Sequence, residues 1–237
     1  MPTIALPSDF PSQHFDALMG IGEVLEAGYR EKTGGLQNPI WSHFIAAMLG
    51  CSYRWRALAE ADEAFTETIR LGAATIEERY TEESALFGFF TNGYSAFELF
   101  YFTQYALAAQ LRPAQFTMLP DCASSVTPKQ VVHAFKYEYP GELLTAQLEC
   151  ALNGPVCQEV KGLRNVLSHR GAPPRRFAYG PATLPGGQFV AASPEWQGRP
   201  LDANLMPTIR NGLARELNRL FEVARAFACQ QIGKIIG

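Results

Sequence analysis

Apolar residues recur every three or four positions through most of this chain, the spacing that gathers them on one face of an α-helix. Residues 12–30 carry this pattern and end at a TGGLQNP segment, which predicts a first helix. A second helical pattern begins after Pro39, and the more polar stretch 61–80 predicts a surface-facing helix or helix pair. The first third of the chain is therefore predicted to be helical.

The longest apolar region predicts a ring-rich helix over residues 82–111, in which the Asn92-Gly93 pair is a candidate break or kink. Polar residues interrupt this region too often for a membrane span, so we expect a buried helix and no membrane association. Residues 203–232 predict a final amphipathic helix with a continuous apolar stripe.

Between these two long helices, the chain carries signals for shorter helices. Thr127 is predicted as an N-cap, with Pro128 at the first helical position and Gln130 completing a capping box. Helical patterns follow over 141–152 and 155–169, separated by an Asn-Gly-Pro turn. We expect three helices in this part of the chain.

Residues 171–200 are the one region without helical periodicity, because they hold six prolines and a Gly-Gly pair. Two short β-prone runs, RRFAY and GQFVA, predict a small hairpin there. No repeat and no linker divides the chain. We therefore predict one all-α domain over residues 1–237, a helical bundle with a long excursion before its last helix.

Composition and charge narrow the function classes. A net charge of −3 lacks the basic surface of a dedicated nucleic-acid-binding protein, so any such role needs a local patch. Five scattered cysteines without a Cys-x-x-Cys pair predict neither a disulfide framework nor a thiolate zinc site. The four histidines include no pair at metal-ligand spacing, and His43 is predicted to lie in or beside the core. We expect a cytoplasmic protein without a metal or cofactor.

The segment KGLRNVLSHRG, residues 161–171, holds the best candidate site. Arg164 and Asn165 precede His169 by five and four positions, and no other histidine in the chain follows an arginine–asparagine pair in this way. Motifs for phosphate loops, serine hydrolases and zinc proteases are absent. The alternative interpretation is an ordinary helix end that stops at Gly171.

The R-N-x-x-x-H pattern in an all-α setting resembles the signature of the HEPN superfamily, named for a nucleotide-binding domain of higher eukaryotes and prokaryotes. The resemblance covers a core of about residues 82–232 and leaves residues 1–80 as an N-terminal helical extension. Many members of the superfamily are metal-independent endoribonucleases of toxin–antitoxin and defence systems that act as homodimers, and others are inactive. The resemblance implies that Arg164, Asn165 and His169 form the site.

The chemistry of these side chains fits RNA cleavage without a metal. Histidine changes its protonation near neutral pH and suits a base that takes the proton of the 2′-hydroxyl. The planar guanidinium of Arg164 fits the phosphate oxygens on which charge grows. Asn165 and His169 share a helix face, whereas Arg164 and His169 lie about 140° apart around a regular helix. Asn165 can therefore position the imidazole or the phosphate. Arg164 and His169 meet only if the long arginine side chain curls round the helix or if the two residues come from different subunits, and the second option fits a dimeric cleft.

A local basic patch adds to this prediction. No acidic residue occurs over residues 161–194, and this stretch contains the expected RNA- or phosphate-binding residues Lys161, Arg170, Arg175 and Arg176. A solvated loop that happens to be basic is the alternative.

Glu98 is the only acid between Ser84 and Pro120, and it lies at helical spacing from Tyr94 and Tyr101. A lone carboxylate in an apolar helix needs a partner, so we expect Glu98 to hold Arg164 or orient His169. The tyrosine hydroxyls are expected to line the cleft, with Ser168 beside the histidine as a further supporting residue. A structural ion pair between the long helix and the motif helix is the alternative.

Three functional interpretations stay open on sequence alone. The first is a homodimeric endoribonuclease that leaves 2′,3′-cyclic phosphate ends. The second is a non-catalytic helical module that binds a nucleotide, RNA or a protein partner such as an antitoxin. The third is a purely structural Arg–Glu pair in the core.

Overall fold

The computed structural model describes residues 6–71, 75–117, 126–170, 179–183, 189–191, 195–196 and 198–236. These residues form seven helices and four short strands, which confirms the all-α bundle. The helices are α1 (Ser12–Lys32), α2 (Trp41–Leu71), α3 (Ile76–Leu111), α4 (Pro128–Glu138), α5 (Leu143–Asn153), α6 (Pro155–Arg170) and α7 (Leu205–Ile236). The strands are β1 (Tyr179–Thr183), β2 (Phe189–Ala191), β3 (Glu195–Trp196) and β4 (Arg199–Pro200).

Helix α4 begins as the sequence predicts. The backbone of Thr127 is extended, its hydroxyl accepts a hydrogen bond from the Gln130 backbone N–H, and the Gln130 side chain accepts one from the Thr127 backbone N–H. Pro128 occupies the first helical position, where its missing N–H removes no helical hydrogen bond. The capping box fixes the start of α4, which borders the site described below.

The Asn92-Gly93 pair does not break α3, contrary to the break or kink considered from sequence, and the helix is continuous from Ile76 to Leu111. Instead, Gly93 allows close packing. A Cβ added to it would lie 2.9 Å from Leu58 Cδ1 of α2 and 3.3 Å from Leu213 Cδ1 of α7. Val160 Cγ1 of α6 would be 3.7 Å away. Four helices therefore meet at this glycine.

The segment predicted to face solvent over residues 61–80 is only partly exposed. Helix α2 continues to Leu71 and α3 starts at Ile76, and Phe65 is fully buried between them and the rest of the core. The polar pattern was misleading because Asp62 is also buried: its Oδ2 accepts a hydrogen bond from Arg210 Nη1 at 3.1 Å. Arg210 binds Asp9 through two further hydrogen bonds, which attach the chain before α1 to α7.

The N-terminal helices share one core with the rest of the chain. Helix α2 packs along α3, and α1 packs against α7. The aromatic cluster crosses these contacts: the Phe221 ring of α7 lies 4.8 Å from the Phe100 ring and 5.9 Å from the Phe15 ring. The boundary expected near residue 82 falls inside α3.

The excursion before α7 contains a hairpin in which β1 is antiparallel to β2. Strand β2 lies within the predicted run GQFVA, whereas β1 begins only at the last residue of the predicted run RRFAY, whose other residues lie outside the described ranges. A second, unpredicted pair joins β3 to β4 through a turn in which Gly198 has a φ of 74°. Trp196 of β3 is buried, and its ring centroid lies 5.6 Å from that of Phe90 on α3. This tryptophan anchors the excursion to the bundle, a long-range contact that local sequence patterns do not reveal.

Candidate functional site

The motif residues Arg164 and Asn165 lie on α6 where this helix packs against α3. Both are half-buried. Arg164 Nη1 donates a hydrogen bond to Asn165 Oδ1 at 3.2 Å, and the guanidinium carbon lies 5.6 Å from the centre of the Tyr94 ring. The ring face attracts the cation, and the amide oxygen accepts a hydrogen bond in the plane of the guanidinium. Both contacts favour this orientation of Arg164.

His169 is the penultimate residue of α6, and the helix is continuous from Pro155 through Arg170. The side chains of His169 and Arg170 lie outside the described part of the structure, as do Arg175 and Arg176 altogether. Ser168 is exposed on the helix. Because the backbone is helical throughout, positions 164 and 169 lie about 140° apart around α6, as the sequence spacing implies.

Glu98 of α3 is half-buried and neighbours two cations of α6. Burial raises the pKa of its carboxyl above the usual range, and the charges of Arg164 and Lys161 oppose that rise. Among the described residues, Glu98 has no partner close enough for a direct ion pair. The structural ion pair considered from sequence is therefore not formed with Arg164, and Glu98 acts on it through space.

Tyr94 is the tyrosine that contacts the motif. Its ring is buried beneath Arg164, and burial, with the negative charge of Glu98, raises the pKa of its hydroxyl to about 12, although Arg164 opposes the shift. The hydroxyl therefore stays protonated at neutral pH. In the site, Tyr94 offers its ring face, over which the Arg164 guanidinium lies and to which it is attracted.

Tyr101 does not line the cleft, so this part of the sequence prediction is wrong. It is buried, and its hydroxyl donates a hydrogen bond to the carbonyl oxygen of Leu148 at 2.6 Å. Burial also raises the pKa of that hydroxyl. Tyr101 ties α3 to α5, because its side chain leaves α3 toward the core while that of Tyr94 leaves toward α6.

An open cleft of about 820 Å³ adjoins the motif. We call it the basic cleft. It is bounded by α2, α3, α5, α6 and the start of α4, and its charged and aromatic lining is Arg54, Lys129, Lys161, Glu98, His43, Tyr94 and Phe102. Glu98 is the one carboxylate that the described residues contribute to this lining. Three cations against one carboxylate suit an anionic ligand.

Three of the lining residues were not expected from the sequence. Arg54 and Lys129 carry no motif, and each is far along the chain from Arg164. His43 was predicted to lie in or beside the core, and it is half-buried at the edge of the cleft with its ring centroid 6.4 Å from that of Phe102. The pairing of α2 with α3 places His43 and Arg54 opposite the Tyr94–Phe102 stretch, so it is the signal that could have identified these two residues. No signal in the sequence marks Lys129.

Within the described residues, no three His, Cys, Asp or Glu side chains are grouped so that they could hold a metal ion. Over the same ranges, no helix combines the length and the apolar character that crossing a membrane requires. Comparison of the chain with protein-family models, with curated proteins and with solved structures gives no match. The resemblance to the HEPN superfamily therefore stays a prediction that rests on the motif and the helical setting.

Proposed function

We propose that this chain is a HEPN-like, metal-independent endoribonuclease that acts as a homodimer. The observation that carries the proposal is the arrangement around Arg164, whose guanidinium contacts Tyr94 and Asn165 beside the basic cleft. An oriented guanidinium next to a cation-lined cleft suits the stabilisation of a phosphate transition state.

Each motif residue has a defined role in the proposed reaction. His169 takes the proton from the 2′-hydroxyl, whose oxygen attacks the adjacent phosphorus. The bond from phosphorus to the 5′ oxygen breaks, and that oxygen takes a proton from solvent. Arg164 neutralises the charge that develops on the phosphate oxygens, and Asn165 orients Arg164. The products are a 2′,3′-cyclic phosphate and a 5′-hydroxyl end.

The position of His169 in the last turn of α6 suits this role. The partial negative charge at a helix C-terminus favours the protonated imidazole that forms when His169 accepts the proton. The 140° between Arg164 and His169 favours a site in which arginine from one subunit faces histidine from the other. Action in the cytoplasm, within a toxin–antitoxin or defence system and with an antitoxin as protein partner, belongs to the same proposal.

A second candidate function is binding without turnover. The basic cleft supports it, since cations that bind a nucleotide or RNA phosphate do so whether or not a bond is broken. In that case Arg164 and Asn165 contact phosphate, and His169 is not needed.

The test compares RNA cleavage by the wild type and by His169→Ala, with chelator present. We expect the wild type to cut single-stranded RNA to fragments with 2′,3′-cyclic phosphate ends, and the variant to lose at least about 100-fold in rate, because the general base is gone. His133→Ala, at an exposed histidine of α4, is the matched control and keeps full activity. Circular dichroism checks that both variants fold.

Equal cleavage by the wild type and His169→Ala would refute the catalytic proposal. RNA binding without cleavage by the wild type would favour the second candidate.

A further inference from the structure

We infer that the basic cleft binds a single-stranded segment of RNA, holding one unpaired nucleotide and its adjoining phosphates next to the Arg164 motif. The position of this subsite follows from residues of the cleft itself. The identity of the ligand as RNA rests on the proposed function.

The three cations of the cleft are available to a ligand. Arg54, Lys129 and Lys161 form no ion pair with any described residue, and Arg54 only donates a hydrogen bond to Asn92 Oδ1 at 3.0 Å. The other described cations of α2 and α4 are paired with carboxylates: Arg56 with Glu60 and Arg70 with Glu67 on α2, and Lys136 of α4 with Glu149. On these two helices the unpaired positive charge therefore lies at the cleft, where it can bind phosphate.

The cleft also offers apolar surface for a base. The side chains of Ala46, Leu99 and Leu152 line it together with the Phe102 ring and the edge of His43. Unpaired bases in RNA complexes stack on aromatic rings and insert between apolar side chains, and a paired base cannot do so. A cleft that combines cations with such a surface therefore favours a single strand over a duplex.

The size of the cleft agrees with one nucleotide unit and its neighbouring phosphates. Its volume of about 820 Å³ falls within the range of about 300–1,000 Å³ that is typical of sites for small organic ligands. A double helix has no base free to enter a space of this size.

The cleft is continuous with the motif. Lys161 lines the cleft and precedes Arg164 by one turn of α6, and Tyr94 both lines the cleft and carries the Arg164 guanidinium. A strand whose nucleotide occupies the cleft therefore extends its next phosphate toward Arg164. The cleft would bind the nucleotides that flank the cleaved bond.

The experiment measures binding of a fluorescein-labelled single-stranded RNA to full-length His169→Ala protein by fluorescence anisotropy. Adding Arg54→Gln and Lys129→Gln to this protein should raise the Kd about tenfold, since two phosphate contacts are lost. The matched control adds Arg56→Gln and Lys136→Gln, which remove the same charge from the same two helices outside the cleft, and should change the Kd less than about twofold. Thermal melts check that both sets of variants fold.

Two competitors identify the ligand. One is unlabelled duplex RNA of the same length, and the other is an equimolar mixture of nucleoside monophosphates, matched in nucleotide concentration. The concentration of each that displaces the labelled strand should be at least about tenfold higher than that of single-stranded RNA. The inference is overturned if the cleft variant and the control variant lose the same affinity for RNA. It is also overturned if the duplex or the free nucleotides compete as well as single-stranded RNA, or if RNA does not bind at all.

Cleavage by the same variants with His169 intact separates this inference from the proposed function. If the Arg54/Lys129 variant binds and cleaves like the wild type, the cleft inference fails and the endoribonuclease stands. If the wild type cleaves nothing while RNA binding depends on Arg54 and Lys129, the endoribonuclease fails and the cleft stands.

Discussion

At the scale of single residues, Glu98 is the one carboxylate that the described residues contribute to the lining of the basic cleft. Its carboxyl is half-buried and its pKa is raised by burial, which the nearby Arg164 and Lys161 offset only in part. A carboxyl whose pKa is higher in the folded than in the unfolded chain binds protons more readily when folded. The free energy of unfolding therefore falls as the pH rises above the pKa that Glu98 has in the unfolded chain. It stays lower once Glu98 is ionised in the folded chain as well.

We expect Glu98→Gln to melt at a higher temperature than the wild type at pH 7. The difference should shrink as the pH falls and disappear below about pH 4, where glutamate is protonated in both states. Thermal unfolding from pH 3 to pH 8, followed by circular dichroism, measures it. Glu31→Gln, at an exposed position of α1, serves as the control without such a trend. A Glu98→Gln protein that is less stable than the wild type at pH 7 would contradict this account.

The sequence predicts site residues that belong to one short motif better than those that packing between helices brings to the site. The motif marks Arg164 and Asn165 as site residues, but the hydrogen bond between them was not predicted, since the helical spacing relates Asn165 to His169. The different fates of Tyr94 and Tyr101 could not be predicted either, because seven positions along a helix return to nearly the same face and only packing decides between them. Arg54 and Lys129 reach the cleft through contacts between distant helices, and no local pattern marks them.

At the scale of helices, Gly93 decides how closely α3 approaches its neighbours. We expect Gly93→Ala to destabilise the protein by about 1–3 kcal/mol, since the new methyl group would overlap Leu58 and crowd Leu213. Gly88→Ala on the same helix is the control: its Cβ would meet Ala61 Cβ at an ordinary 3.6 Å. There the helix preference of alanine should stabilise by about 0.5–1 kcal/mol.

Urea denaturation of both variants measures these changes in the free energy of unfolding. Equal and small effects at the two positions would mean that the helices have room to separate at Gly93.

The elements that sequence predicted well are those fixed by their own residues. The Thr127 capping box and the apolar stripe of α7 depend on residues within a few positions of one another. The β3–β4 pair was missed because it is two residues long on each side and is held by Trp196 against Phe90, a contact between parts of the chain more than one hundred residues apart. The Asn92-Gly93 signal was misread because tertiary packing outweighs the local cost of glycine in α3.

At the scale of the whole molecule, the proposed site needs two chains, and a mixing experiment tests this directly. Arg164→Ala and His169→Ala proteins should each be inactive alone. After unfolding and refolding together in equal amounts, they should recover about a quarter of the wild-type rate, because half of the dimers are mixed and each has one intact composite site. Cleavage of labelled RNA measures the recovery.

A site built within one chain gives no recovery in this experiment, because every subunit of a mixed dimer lacks one of the two side chains. Refolded wild-type protein is the control for losses in the procedure.

The junction at Gly93 has a mechanical consequence for the basic cleft. Helices α2, α3, α6 and α7 meet at this point, and Gly93 and Val160 directly precede Tyr94 and Lys161 of the lining. A closely packed junction is hard to compress, so the wall formed by Tyr94 and Lys161 yields little when a ligand presses on it. A ligand in the cleft would therefore meet a firm wall at Tyr94 and Lys161, whereas the exposed side chains of Arg54 and Lys129 would lose conformational freedom on binding it.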